Sequence, residues 1–314
     1  MLEERKKILS IKNLSVSFSQ YEGAFRWKNL LAIKDLSLDV KEGEMVAVVG
    51  SSGSGKSLLA HSVLGILPYN ATRNGEISFY GETLTEKRMR ELRGKEIVLV
   101  PQSVSYLDPL MKTGLQIRKG KKDESSRQKS LEVLKCYGLE RDTENLYPFE
   151  LSGGMIRRIL ISTAVMEQPR LVIADEPTPG LHIDIARRVL SHFREIADEG
   201  AGVLLIIHDL ELAVEVADRI VVLYAGTNLE EARASDFLEE NRLRHPYTRA
   251  LYRAMPDNGF SAEPGTQPYA ENRPDGCTYA PRCEYVQEKC LKEVEYRNFQ
   301  GGMVRCIMAG GEIR

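Results

Sequence analysis

The chain has 314 residues, with 43 Lys and Arg against 45 Asp and Glu, a net charge of −2 and a pI near 6.3. Near-neutrality removes any need for nucleic acid or an anionic membrane as partner, and no apolar run approaches the roughly 20 residues that would span a bilayer. At roughly 100 to 200 residues per domain, the length fits one large domain with an appendage.

The charged start MLEERKKILS runs into strand pattern with neither an apolar h-region nor a cleavage site, so a cytosolic chain is expected. Residues 8 to 18 and 31 to 40 alternate apolar and polar, as half-buried antiparallel strands do, across a polar loop. Met45-Val46-Ala47-Val48-Val49 is continuously apolar, as a central strand covered on both faces would be, and it feeds GSSGSGKS at 50 to 57. There Gly50, Gly53 and Gly55, interleaved with Ser51 and Ser54, permit close backbone approach. Successive N–H groups can then surround a β-phosphate at the start of a helix expected from Ser57 to about Leu67. Lys56 is placed to reach the β/γ-phosphates of ATP, and the Ser57 hydroxyl to bind Mg2+.

Further buried strands are expected at 97 to 100, 171 to 174, 203 to 207 and 220 to 223, each followed by a polar or helical stretch. The fold class is therefore α/β, a mostly parallel core with an antiparallel N-terminal sheet. Between Gln102 and Glu150 the pattern is helical and charged and reads as an inserted helical subdomain, in which Cys136 is expected in the core. Ser152-Gly153-Gly154 opens a helix whose apolar residues follow helical spacing; a serine and two glycines there offer a second anion site through exposed N–H groups and the helix dipole. The strand Leu171-Val172-Ile173-Ala174 ends in Asp175 and Glu176, with Asp175 expected in the Mg2+ shell and Glu176 as general base toward water. Paired acids also end many ordinary strands; the upstream phosphate loop is what favours the catalytic reading.

With these motifs in this order, the chain resembles the ATP-binding subunit of an ABC transporter: Walker A at 50 to 57, signature LSGG at 151 to 154, Walker B at 171 to 176. The resemblance implies a P-loop NTPase core, a helical signature subdomain and a head-to-tail pair of such domains, LSGG of one covering the γ-phosphate held by the other. It also implies that Gln102 is a Q-loop residue sensing Mg2+ and water, that His208 is the switch histidine at the γ-phosphate, and that Phe18 stacks on adenine. The signature is followed by Met155 where Gln is usual. The D-loop reads Pro179-Gly180-Leu181-His182 in place of an ending Leu-Asp, which raises the expectation of a heterodimer with unequal sites.

After residue 244 the character changes to HPYTRALYRAM and a Pro/Gly-rich stretch, so the chain divides into 1–244, the nucleotide-binding domain, and 245–314, an extension. Four of the five cysteines, Cys277, Cys283, Cys290 and Cys306, fall in the last 40 residues, spaced Cx5Cx6Cx15C. Four thiolates suit either tetrahedral Zn2+ or an iron–sulfur cluster, and spacing does not choose. With His245-Pro246-Tyr247-Thr248, the tail resembles the C-terminal extension of oligopeptide, dipeptide and nickel importer ATPases, which implies a 4Fe-4S cluster. The expected function is thus ATP-driven uptake of peptides, or of nickel or a metal chelate. Its partners would be a second ABC ATPase subunit, two membrane permease subunits and an extracytoplasmic substrate-binding protein, at the cytoplasmic face of the membrane. The alternative is a non-transport ABC ATPase acting on nucleic acid or ribosomes. That class usually carries a long coiled-coil insertion or tandem ATPase domains, neither visible here, and the tail lacks a phosphate-tracking basic surface.

Overall fold

The structure is a computed structural model that describes residues 5–22, 26–261 and 263–309; the first four residues of the charged start lie outside these. The N-terminal alternation becomes a long hairpin of β1 (Lys7–Glu22) and β2 (Arg26–Lys41), with Leu9, Ile11, Val16, Ile33 and Leu36 buried on its inner face. Both strands outrun the alternation because pairing continues through polar residues, Ser19 opposite Asn29 and Gln20 opposite Lys28. The apolar run is β3 (Met45–Gly50). The helix after it, α1 (Lys56–Leu64), stops at Gly65 rather than near Pro68, because Gly65 takes the left-handed conformation (φ 64°) that ends a helix.

Next, β4 (Ala71–Phe79) and β5 (Glu82–Thr83) complete an antiparallel sheet in the order β2-β1-β4-β5. Helix α2 (Glu86–Leu92) leads to β6 (Ile97–Val100). The stretch expected to be helical contains α3 (Thr113–Ile117), α4 (Glu124–Cys136) and 3-10 turns, over a small core of its own that includes Leu107, Ile117, Leu134 and Leu160. Cys136 is not part of that core. It is exposed, its Sγ 3.1 Å from His192 Nε2, because α4 buries Ser130 and Leu134 and two residues further turns the side chain to the opposite face.

Then come α5 (Gly153–Val165), β7 (Leu171–Asp175), α6 (Ile183–Asp198), β8 (Gly202–Ile206), α7 (Leu210–Val216), β9 (Arg219–Tyr224) and β10 (Thr227–Arg233). After residue 245 follow α8 (Pro246–Arg253), β11 (Arg297–Phe299) and β12 (Gly302–Val304). The second sheet runs β11-β12-β10-β9-β3-β8-β7-β6; its β9-β3-β8-β7-β6 portion is parallel and the rest antiparallel.

The stretch 245–309 shares this sheet. β12 pairs with β10, Glu230 opposite Val304, and Cys277, Tyr279, Ala280 and Cys290 are buried in the same core as Val98, Ile161 and Phe193. A Pro/Gly-rich segment with few apolar residues cannot bury enough surface alone, and here it docks on the larger body.

Candidate functional site

Strand register sets the site. Val48 lies opposite Ile206, Ile206 opposite Asp175, and Ala174 opposite Val100. One or two residues beyond these positions come Gly50, His208, Glu176 and Gln102, so four separately expected residues emerge along one carboxyl edge of the parallel sheet. Open α/β sheets bind ligands at that edge.

Gly50 has no alternative at the exit of β3: a β-carbon there would stand 2.2 Å from the Leu223 carbonyl oxygen. Gly55, at φ 97°, is the residue from which α1 starts. Lys56 is buried, and its Nζ donates to the carbonyls of Gly50 (2.8 Å) and Ser51 (3.0 Å), spanning the loop's mouth. Burial lowers its pKa, opposed by the charges of Glu176 and Asp175. Ser54 is buried, with its hydroxyl lacking a partner among the described residues.

The Ser57 hydroxyl donates to Asp175 Oδ1 at 3.2 Å, which puts two hard oxygens side by side at the loop's end, a donor pair that suits Mg2+. Burial raises the Asp175 carboxyl, and the Ser57 bond opposes it. Glu176 sits at φ 47°, an uncommon conformation for a non-glycine residue that clusters at functional sites. Its Oε2 accepts from Gln102 Nε2 at 2.7 Å. Arg157, which the motif reading did not single out, donates to the carbonyls of Gln102 (2.7 Å) and Pro101 (3.2 Å) and ties α5 to the Gln102 segment. The available signal was an arginine in line with Ile161 and Ala164 on the buried face of its helix.

Ser152 caps α5, its Oγ accepting from Met155 N–H at 3.4 Å. Ser152 and Gly153 are exposed and do not line the cavity at Gly53 and Gly55; the chain presents the signature outward. His182 is also exposed, its Nδ1 3.3 Å from Asp184 Oδ2. Phe18 is half-buried against the core of the N-terminal sheet, and Leu30, its cross-strand neighbour, lines the cavity.

Of the tail cysteines, Cys277, Cys290 and Cys306 are buried and Cys283 is half-buried. Burial pushes the Cys277 thiol up to about 12, and the charges of Cys306, Cys290 and Cys283 add to the rise. Cys283 and Cys306 are raised for the same reason. Yet among the described residues no three His, Cys, Asp or Glu side chains close on a point that would hold a metal ion. Tetrahedral zinc, with bonds of about 2.3 Å, would need its sulfurs about 3.8 Å apart.

Residues 33–179 match the family model described as ABC transporter, and residues 229–290 the one described as Oligopeptide/dipeptide transporter, C-terminal region. The dipeptide transport ATP-binding protein DppD of Escherichia coli K12 is 35% identical over 305 residues, 91% of each chain. The chain belongs to the ABC transporter family. DppD of Bacillus subtilis is 36% identical to this ABC chain, over 88% of it and 87% of the relative. Among solved structures, the ATP-binding cassette MJ0796, a dimer bound to ADP and Pi, superimposes with a TM-score of 0.64 at 27% identity, over 72% of this chain and 99% of that one. A nucleotide-free cassette gives 0.63 at 25%, over 78% and 98%. As an ABC ATPase, the chain couples ATP hydrolysis to transport.

Proposed function

We propose that this ATPase powers the import of di- or oligopeptides. What supports the reading is the conjunction of a complete P-loop edge with a tail matching the oligopeptide/dipeptide C-terminal region. That tail also argues against the nucleic-acid or ribosome alternative. The relatives reported above carry names of dipeptide transport, which favours peptides over nickel or a metal chelate. Among the described residues no helix is long and apolar enough to cross a membrane, so two permease subunits would carry the path and a substrate-binding protein would deliver the peptide. The chain would sit peripherally at the cytoplasmic face.

In this reading the N–H groups from Gly50 to Ser57, with Ser51, Gly53, Ser54 and Gly55 among them, hold the β-phosphate, and Lys56 swings from its carbonyl contacts to the γ-phosphate. Ser57, Asp175 and Gln102 would hold Mg2+, which when bound neutralises phosphate charge. Glu176, aimed by Gln102, takes the proton of the attacking water, and His208 contacts the γ-phosphate. Phe18 supports the base. Ser152, Gly153 and Gly154 serve the ATP of a second subunit, and His182 at the crossing loop favours a heterodimer. Cys277, Cys283, Cys290 and Cys306, four thiols of one loop-rich segment, would hold a 4Fe-4S cluster, which when bound would cross-link the tail's loops.

Uptake of labelled dipeptide by the assembled complex in vesicles tests the cargo. ATP-dependent accumulation that the Glu176→Gln variant lacks is expected, and nickel uptake without dipeptide uptake would overturn the reading. The purified chain alone forming a fully active homodimer with ATP would end the heterodimer proposal. A colourless, zinc-only protein after anaerobic purification would end that of the cluster.

A further inference from the structure

The phosphate loop faces more than its own sheet. A cavity of about 820 Å³, within the range of small-molecule sites, is walled on one side by Ser51, Gly53 and Gly55 of the loop with Leu30 and Ala32 of β2. Its other wall is the tail segment 265–272, joined by Arg282. The contact is specific: Gln267 Oε1 accepts from the Ser51 hydroxyl at 2.5 Å and from the Ala225 N–H at 3.0 Å. These bonds turn the Gln267 amide nitrogen toward the loop, where Nε2 stands 4.0 Å from the place a β-carbon on Gly53 would occupy.

The segment is pinned on both sides of Gln267. Upstream, Arg282 donates to the carbonyls of Glu263 (3.1 Å) and Pro264 (2.9 Å) while lying over the rings of Tyr224 and Tyr279. Downstream, Arg273 donates to the Ala225 carbonyl at 3.1 Å and Lys34 to that of Asp275 at 3.0 Å. Tyr247, another tail residue, is buried and packs against Tyr224 and Tyr279, the same rings that Arg282 covers. A strap held this way is part of the pocket's architecture.

We propose that tail segment 265–272 is one wall of this chain's own nucleotide site, with Gln267 a positioning residue that sets the Ser51 end of the loop and turns an amide donor toward the phosphates. A nucleoside triphosphate then lies with its phosphates on the loop and its base and ribose between Leu30 and Ala32 on one side and the amides of Gln267 and Asn272 on the other. The proposal rests on ATP binding at this loop and is independent of the solute transported.

Calorimetric titration of the full chain with ATP tests it. Gln267→Ala should weaken binding about 3- to 10-fold, the worth of one or two neutral hydrogen bonds. In the assembled transporter its KM for ATP should rise more than kcat falls. Gln267→Glu keeps both acceptor bonds, so a merely structural role would leave it like wild type. Facing phosphates, its carboxylate should weaken ATP binding more than alanine does. In the wild-type chain, ATP should slow hydrogen exchange across 264–273, a readout free of any variant's folding. Wild-type affinity in Gln267→Glu, or exchange in 264–273 indifferent to ATP, would overturn the proposal. Lys56→Ala losing ATP in the same experiments would show that the phosphate loop still stands.

Discussion

Glu176 carries backbone strain and a defined partner at once. Its φ of 47° costs on the order of 1 kcal/mol, and the Gln102 amide fixes the carboxylate at 2.7 Å. A glutamine at 176 has the same shape, and its Oε1 can still accept from Gln102, so Glu176→Gln alters basicity while leaving geometry in place. Expected is ATP binding within about twofold of wild type and hydrolysis lowered about 10²- to 10⁴-fold, the span of general acid–base catalysis. Unchanged turnover would remove Glu176 from the role of base. Gln102→Ala, which frees the carboxylate but keeps its basicity, should lose less. Arg157→Ala should also lower turnover, because the guanidinium holds the Gln102 carbonyl at 2.7 Å and so steadies the aiming residue.

Among the elements, those legible in the sequence are those whose stability is written into their own residues. β3, β6, β7, β8 and β9 are apolar runs long enough for a covered strand, and the spacing of Ile156, Ile159 and Leu160 marks α5. β4 opens with Ala71-Thr72-Arg73-Asn74-Gly75-Glu76 and is buried only from Ile77, so β1 beside it decides its conformation. β10 is less legible still: Asn228, Glu230 and Glu231 carry no strand pattern, and partners from elsewhere in the chain hold them, the Ser37 carbonyl for buried Asn228, Arg244 for buried Glu230 and Arg219 for half-buried Glu231. The site divides the same way. The P-loop and the Asp175-Glu176 pair are local in sequence, whereas Gln267 reaches Ser51 across 216 residues and leaves no local trace.

The helical subdomain has an ion cluster whose pH response can be worked out. Glu144, buried, accepts from Arg127 at 2.7 Å and from Arg118 at 3.1 Å. The Arg127 hydrogen bond holds its carboxyl below the ordinary value of 4.5, more than offsetting the desolvation that pushes it up. A carboxyl depressed in the fold stabilises fully above its unfolded value, and the contribution fades as pH falls through 4.5 and then through the folded value. Glu144→Gln should therefore cost about 1 to 3 kcal/mol at pH 7 in urea unfolding, and the gap to wild type should close as pH drops below 4.5. A gap constant from pH 7 to pH 3 would show that packing, not charge, holds the cluster.

At the scale of the whole molecule, one buried carboxylate joins the ATPase sheet to the tail. Glu230 in β10 is fully buried and accepts from the backbone N–H of Arg244 (2.9 Å) and His245 (2.7 Å), and from the Arg244 guanidinium at 3.2 Å. Arg244 in turn donates to Asp236 at 2.9 Å and to the carbonyls of Phe299 (2.9 Å) and Gln300 (2.6 Å), which hold the turn between β11 and β12. Removing the carboxylate leaves a buried cation short of a partner and two N–H groups unpaired, a loss of about 3 to 5 kcal/mol for a broken buried pair. Glu230→Ala should lower the melting temperature by roughly 4 to 8 °C, with the β10 sheet and the tail unfolding in one transition because they share strands and core. Arg244→Ala leaves Glu230 its two N–H donors, so it should cost less in global stability while freeing the 299–302 turn to limited proteolysis. If Glu230→Ala instead melted in two separate steps, with the first confined to residues after 245, the tail would be an independent unit resting on the sheet.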